Sequence, residues 1–327
     1  MVCESCPVSD AADGCRCVSA PSPTASFVRA NGMQHHVLSW DGDPERTLFV
    51  LHGYLDHALS FADTCSHLAA AGYRVFAPDL RGHGRTDRVA AGGYYFFPDY
   101  VLDVFSLMEV LAPAESCPRV GVIGHSMGGG VTNMLVGSHP ERVWAAVIAE
   151  GTGPPSMEPT VAPDRMRRWI DGVSKLSNRT PRRLASLDDA VSRLRVSHGS
   201  AVTDEMLLRV ATEMTVPDPS GEGLTWHFDP LHQTMSPLVF DVAAFAAFSV
   251  RFQCPVLLVD AGQSGYRPPD WESRNAFYPN REVVSIEGAG HMMHWTRPRA
   301  LATTIVGFLD RAALGARARR DTPGESR

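Results

Sequence analysis

The sequence predicts a doubly wound α/β fold on a mostly parallel sheet, and two observations predict it. Short apolar runs recur along the chain, most of them near-continuous strings of Val, Ile and Leu, the pattern of parallel strands buried on both faces. Helical stretches alternate with these runs, as a sheet covered by helices on both sides requires. In order, the strand candidates are 35–40 (HHVLSW), 47–53 (TLFVLHG), 73–80 (YRVFAPDL), 119–126 (RVGVIGHS), 144–151 (WAAVIAEG), 255–262 (PVLLVDAG) and 282–290 (EVVSIEGAG). Helices are expected at 59–71, 98–111, 129–138 and 298–313.

Residues 153–239 break the rhythm. They carry no convincing strand but three amphipathic helix candidates, 163–177, 187–197 and 204–214, followed by the aromatic loop LTWHFDPLHQTMSP. Ser186, with Asp189 at the third helical position, and Thr203 are the expected N-caps, since their side chains can accept from free first-turn amides. This interval reads as a helical cap over one edge of a core formed by 26–152 and 240–310. Residues 1–25 and 311–327 are polar and are expected to be flexible or frayed tails.

Bulk properties narrow the class. At 327 residues, 44% hydrophobic and 20% charged, the chain suits a soluble globular protein with a large core. A net charge of −6 gives no sign of a nucleic-acid or anionic-surface partner. No apolar run approaches the roughly 18–20 residues of a spanning helix, and the N-terminus lacks the basic start and apolar core of a secretory signal. A cytoplasmic location is expected. Of the seven cysteines, Cys3, Cys6, Cys15 and Cys17 lie in the first segment, at a spacing that suits tetrahedral zinc. That segment offers little apolar material to pack around a metal, so reduced thiols on a flexible tail are the simpler reading, and no metal or other cofactor is assigned.

The strongest chemical signal is GVIGHSMGGG, which holds G-x-S-x-G as Gly124-His125-Ser126-Met127-Gly128 between a strand and a helix. A serine on so sharp a turn needs neighbours without side chains, and its hydroxyl then projects at a helix N-terminus, where the dipole favours developing negative charge. The N–H of Met127 points into the same space. A phosphate-binding loop would need G-x-G-x-x-G or a Walker lysine, and neither is present. Serine requires a base, and EGAGHMMHW supplies His291 in a glycine-rich loop after the last apolar strand; His294 is the less favoured choice. HGYLDH places Tyr54 at the end of an early strand, where its N–H could supply a second oxyanion donor. Glu150, at the carboxyl end of a core strand, is costly there unless paired.

Together these pieces resemble the α/β-hydrolase family: an early HG, PDLRGHGRTD at 78–87, G-x-S-x-G, a cap insertion and a late G-x-G-H. HGYLDHALSF, GHSMGGG, AEGTGP and GHMMHW look closest to its serine hydrolase-like, kraken-type branch. The resemblance spans roughly residues 26–310. It implies an eight-stranded, mostly parallel sheet, the cap inserted after the sixth strand, and catalytic groups at the sheet's carboxyl edge. The chain departs from the family at the acid. Most members carry an Asp about three residues beyond a glycine after the seventh strand, but here Gly265 stands three beyond Gly262. Some members place the acid at the end of the sixth strand, the slot that Glu150 fits; Asp260 and Asp270 remain alternatives.

The reading is therefore a serine hydrolase of carboxylic esters, lactones or thioesters, with Ser126, His291 and Glu150 as triad and Tyr54 and Met127 as oxyanion hole. Acyl transfer or hydrolysis of a carbon–carbon bond beside a ketone would use the same triad. A ligand-binding protein on a hydrolase scaffold is the reading from another class. His125, Tyr95, Trp226 and Phe228 are the pocket candidates for a small acyl substrate. Residues 164–195 hold nine Lys/Arg against four Asp, which reads as a solvated outer face of the cap.

Overall fold

The computed structural model describes residues 21–177, 183–198, 202–262 and 266–321. The four tail cysteines lie outside the described residues. In chain order the strands are β1 (Thr24–Ala30), β2 (Met33–Trp40), β3 (Asp43–Leu51), β4 (Tyr73–Pro78), β5 (Val120–His125), β6 (Val143–Ala149), β7 (Thr215–Pro217), β8 (Leu224–Trp226), β9 (Val256–Ala261) and β10 (Arg281–Ile286). All but β7 and β8 form one eight-stranded sheet in the order β1-β2-β4-β3-β5-β6-β9-β10. β1 and β2 run antiparallel to their neighbours, and every pairing from β4 to β10 is parallel.

Consecutive residues of β3 show why the strands read as unbroken apolar strings. Leu48 and Val50 enter one core with Leu68 of α1 (Ala62–Ala70) and with Ile305 and Phe308 of α10 (Pro298–Asp321). Phe49 and Leu51 enter the opposite core with Val104 and Leu107 of α2 (Phe97–Leu111) and Val131 and Leu135 of α3 (Met127–Ser138). Each face must be apolar because each is covered, and every such side chain removed from water contributes about 1.5–3 kcal/mol. On the second face α7 (Val242–Ser249) joins α3, where the Ser249 hydroxyl donates to Asn133 Oδ1 at 2.8 Å.

The register positions the site. From β3 the chain winds to β4 on one side and then to β5 on the other, so the ends of β3 and β5 border a topological switch point, where crevices open. Leu51 pairs with Gly124, His125 with Ala149, and Ala149 with Val259. The residues that follow these strands, Gly53-Tyr54, Ser126 and Glu150, therefore leave the sheet along one edge.

The segment expected to form a cap contains α4 (Ala162–Ser177), α5 (Leu187–His198) and α6 (Asp204–Met214), close to the expected helices. The expected caps also form: Ser186 Oγ accepts from the Asp189 amide at 3.3 Å, and Thr203 Oγ1 from the Met206 amide at 3.3 Å. Leu194, Leu207, Val210 and Met214 build a small core that takes in Trp295 from beyond the sheet. Arg167, Arg168 and Lys175 are exposed on α4, as a solvated face requires. Two short α-helices, α8 (Trp271–Asn275) and α9 (Met293–Thr296), lie between β9 and β10 and after β10.

Three expectations are corrected. The cap is not free of strands, because β7 and β8 form an antiparallel hairpin there. The N-terminal segment is structured from residue 21: β1 begins at Thr24, and the Pro21 carbonyl accepts from Trp40 Nε1 and Ser66 Oγ. β1 is mostly exposed and carries no apolar string; pairing along β2 holds it, with Val28 and Ala30 packed on the core under α2. The C-terminal helix continues to Asp321, past the boundary drawn at 310, since GARARR is rich in good helix formers.

A buried ion pair anchors the 79–87 turn to α2. Arg81 Nε and Nη2 donate to the two carboxylate oxygens of Asp103 at 2.5 and 2.6 Å, and Asn31 Nδ2 donates to the same carboxylate at 2.8 Å. Asp103→Ala leaves the buried guanidinium with only the more exposed Asp99 carboxylate, 3.6 Å from Nη1, and a loss of about 3 kcal/mol in unfolding free energy is expected from urea titration. A loss below about 1 kcal/mol, the range of an exposed pair, would show that this pair does not anchor the turn.

Candidate active site

Ser126 sits between β5 and α3 at φ 53° and ψ −116°, a left-handed conformation that L-residues rarely adopt and that costs on the order of 1–3 kcal/mol. The surroundings hold it there. Its N–H donates to the Ala149 carbonyl at 2.9 Å, and its own carbonyl accepts from Gly129 and Gly130 at 2.9 and 3.2 Å. The flanking glycines are steric requirements: a Cβ on Gly124 would lie 2.2 Å from the Gly128 carbonyl oxygen, and one on Gly128 would lie 2.4 Å from that of Leu51.

The His291 loop returns over this edge. His291 Nε2 stands 3.1 Å from Ser126 Oγ, and Nδ1 stands 3.3 Å from Glu150 Oε2. Glu150 also has a positive φ, 52°, which turns its side chain back toward the sheet end. Its other oxygen accepts from the Ala261 amide at 2.8 Å, and its own amide donates to the Val259 carbonyl at 3.0 Å. The side chain is 3% exposed against 15% for His291. The partly desolvated carboxylate at the end of β6 is thus paired on both oxygens, which removes the cost that its position implied.

The alternative carboxylates are engaged elsewhere. Asp260 is taken by the Arg267 guanidinium and accepts from Ser285 Oγ at 3.3 Å. Asp270 pairs with Arg274 at 2.9 Å.

Around Ser126 the backbone supplies donors. A Cβ built on Gly53 would lie 3.3 Å from Ser126 Cβ, so the turn after β3 passes directly beside Ser126. Neither the Tyr54 N–H nor the Met127 N–H has a hydrogen-bond partner among the described residues. The Tyr54 phenol donates to the His232 carbonyl of the cap, and burial pushes its pKa up.

The pocket candidates divide differently from expectation. His125 does not line an open pocket: it is 1% exposed, and its Nε2–H donates to the His291 carbonyl at 2.8 Å. Burial holds its imidazole well below the usual pKa, and nearby His294 and His291 add to this. Tyr95 donates to Asp229 Oδ2 at 2.7 Å, and its ring lies against that of His232, tilted by 33° with centroids 3.9 Å apart. Trp226 packs on the cap's core and lies parallel to Phe228, whose backbone bridges to His83. These three side chains tie the cap to the core, and no hydrogen bond or ring contact joins them to Ser126 or His291 among the described residues.

Two features escaped the sequence reading. Tyr266 stacks on His291 with ring centroids 4.2 Å apart and is 64% exposed, forming one wall beside the imidazole. Its only signal was an aromatic in the loop that most relatives use for the acid. Asp56, His125 and His294, all buried, each bring one polar atom within 4.8 Å of the others. That set has a metal-ligand composition, but His294 Nε2 already bonds Asp56 Oδ2 at 2.9 Å and His125 Nε2 holds the His291 carbonyl.

Comparison with known proteins shows the family to which the chain belongs. A family model described as serine aminopeptidase, S33, matches residues 42–214, just over half of the chain. The chain is 27% identical over 286 residues to a serine hydrolase-like protein of Danio rerio, covering 83% of each. It is 25% identical over 279 residues to a probable alcohol acetyltransferase of Saccharomyces cerevisiae, covering 83% of this chain and 79% of that one. Among solved structures, a hypothetical protein from Pseudomonas aeruginosa PAO1 superposes with a TM-score of 0.76 at 27% identity, covering 88% of this chain and 99% of the other. With a strained serine at the turn after β5, a helical segment after β6 and these relatives, the chain belongs to the α/β-hydrolase family, in its serine hydrolase-like branch.

Proposed function

We propose that the protein hydrolyses a carboxylic ester, lactone or thioester through an acyl-enzyme, with Ser126 as nucleophile, His291 as base and Glu150 as acid. The observation that carries this reading is the continuous contact chain from Ser126 Oγ through both nitrogens of His291 to Glu150, at 3.1 and 3.3 Å. Serine is a poor nucleophile alone. His291 Nε2 takes its proton as Oγ attacks the carbonyl carbon, and the imidazolium that forms is stabilised by Glu150 against Nδ1–H. The uncommitted amides of Tyr54 and Met127 receive the oxyanion, each worth about 3 kcal/mol of barrier. The imidazolium then protonates the leaving alcohol or thiol. Water, deprotonated by the same imidazole, attacks the acyl-enzyme and frees the acid and Ser126.

Residues 153–239 act as the cap that selects the acyl group, and Tyr266 limits access beside His291. Acyl transfer is the second reading, favoured by the likeness to the yeast protein named a probable alcohol acetyltransferase. In that case an alcohol replaces water in the second step.

The test is a panel of p-nitrophenyl esters of rising acyl length, with lactones and thioesters, each run with and without a competing alcohol. Turnover dependent on acyl length, with free acid as product, is expected. A new ester formed at the expense of free acid selects transfer. No turnover on any ester, lactone or thioester overturns the reading.

A further inference from the structure

Beneath the Ser126–His291 contact lies a second histidine–aspartate pair. His294 Nε2 donates to Asp56 Oδ2 at 2.9 Å, and the two side chains are 0% and 1% exposed. Asp56 follows Tyr54 by two residues in the turn after β3, and His294 follows His291 by three. The bond therefore joins the loop carrying the oxyanion donor to the loop carrying the base. The His294 ring lies flat on Phe61, with centroids 4.0 Å apart and planes 5° apart. His125, from the elbow itself, sits 4.5 Å from the His294 ring and holds the His291 carbonyl.

We infer that Asp56 and His294 are positioning residues, whose buried hydrogen bond sets the Tyr54 amide and the His291 imidazole at a fixed separation around Ser126. This rests on the proposed roles of those three residues. Burial keeps the His294 imidazole below its usual pKa, against the pull of Asp56, so it is a neutral donor. Burial alone would raise the Asp56 carboxyl, but the His294 hydrogen bond and the neighbouring imidazoles outweigh it and hold the carboxyl below the usual range. A neutral N–H donating to a carboxylate is a strong, directional tie.

Stability does not account for the pair. Asp56 Oδ1 and His294 Nδ1 are buried with no hydrogen-bond partner among the described residues, a cost that an apolar pair would avoid. Positioning does account for it, because a displacement of about 1 Å between reacting groups can slow a reaction roughly 100-fold.

The test replaces both partners at once, Asp56→Leu with His294→Phe, which keeps the stack on Phe61 and strands no buried charge. Two readouts are taken: amide hydrogen exchange in peptides spanning 51–58 and 288–297, and the rate at which a fluorophosphonate labels Ser126. Exchange is expected to rise in both peptides together, with an unchanged thermal midpoint. Labelling is expected to reach full stoichiometry about 10–100-fold more slowly. Asp56→Asn keeps a carbonyl for His294 to donate to and is expected to restore most of both. A folded double variant with wild-type exchange, or with a rise in one peptide alone, overturns the inference. A purely structural role would lower the labelled fraction and leave its rate unchanged, which also overturns it. If the double variant does not fold, Asp56→Ala, which leaves only a neutral imidazole unpaired, is judged by the same two peptides. Should the wild-type protein itself not label, the catalytic roles fall, while the exchange result still decides whether the tie exists.

Discussion

Ser126→Ala abolishes fluorophosphonate labelling and lowers ester turnover by roughly 10⁵–10⁶-fold, the scale on which a serine nucleophile acts with its base. The variant remains folded. Alanine at φ 53° carries the same backbone strain as serine, and the amide bond to Ala149 and the carbonyl bonds from Gly129 and Gly130 involve only main chain. Circular dichroism and the thermal midpoint are therefore expected to match wild type while turnover is lost. Labelling that persists in Ser126→Ala would place the reactive hydroxyl elsewhere. Turnover within about tenfold of wild type would remove acyl-enzyme chemistry from this site altogether.

Glu150→Gln lowers turnover by about 10⁴-fold, and the reason is a matter of which end of the amide faces the histidine. Ala261 donates its N–H to Glu150 Oε1 at 2.8 Å, so the carbonyl of a glutamine must take that side. Its NH₂ then faces His291 Nδ1, which must present a lone pair, and the ring proton moves to Nε2. Nε2 can no longer accept from Ser126. Asp260→Asn provides the control. That carboxylate is spent on Arg267 and Ser285, so a change in stability and less than about tenfold in turnover are expected. If Asp260→Asn is the crippled variant and Glu150→Gln is active, the acid has been assigned to the wrong strand.

How much of this was legible in the sequence follows from how each feature is encoded. β5 and β9 are buried at every position, so their identity as central strands is written in unbroken apolar runs. β1 pairs along one edge and is mostly exposed, so its residues carry almost no signal. The cap hairpin is too short for periodicity: its two strands span Thr215–Pro217 and Leu224–Trp226 and depend on pairing with each other. The turn at Ser126 was legible because it demands glycines at fixed spacing. Tyr266 and the Asp56–His294 pair were not, since their partners are distant in sequence and no local geometry requires them. His125 was misplaced for a related reason. A motif locates its backbone, but the direction of its ring depends on a carbonyl that arrives from residue 291.

By itself the sequence determined the layered sheet, the helices between β6 and β9 and the strand end from which Ser126 projects, because each is a local or periodic consequence of residue type. Only the tertiary structure decided which of three carboxylates stands within reach of His291. Asp260 and Asp270 face guanidinium groups from nearby in their own chain segment, whereas Glu150 meets the imidazole through strand register. Charge pairing is settled by through-space distance, and for a carboxylate at the end of a strand that distance is set by its neighbours in the sheet.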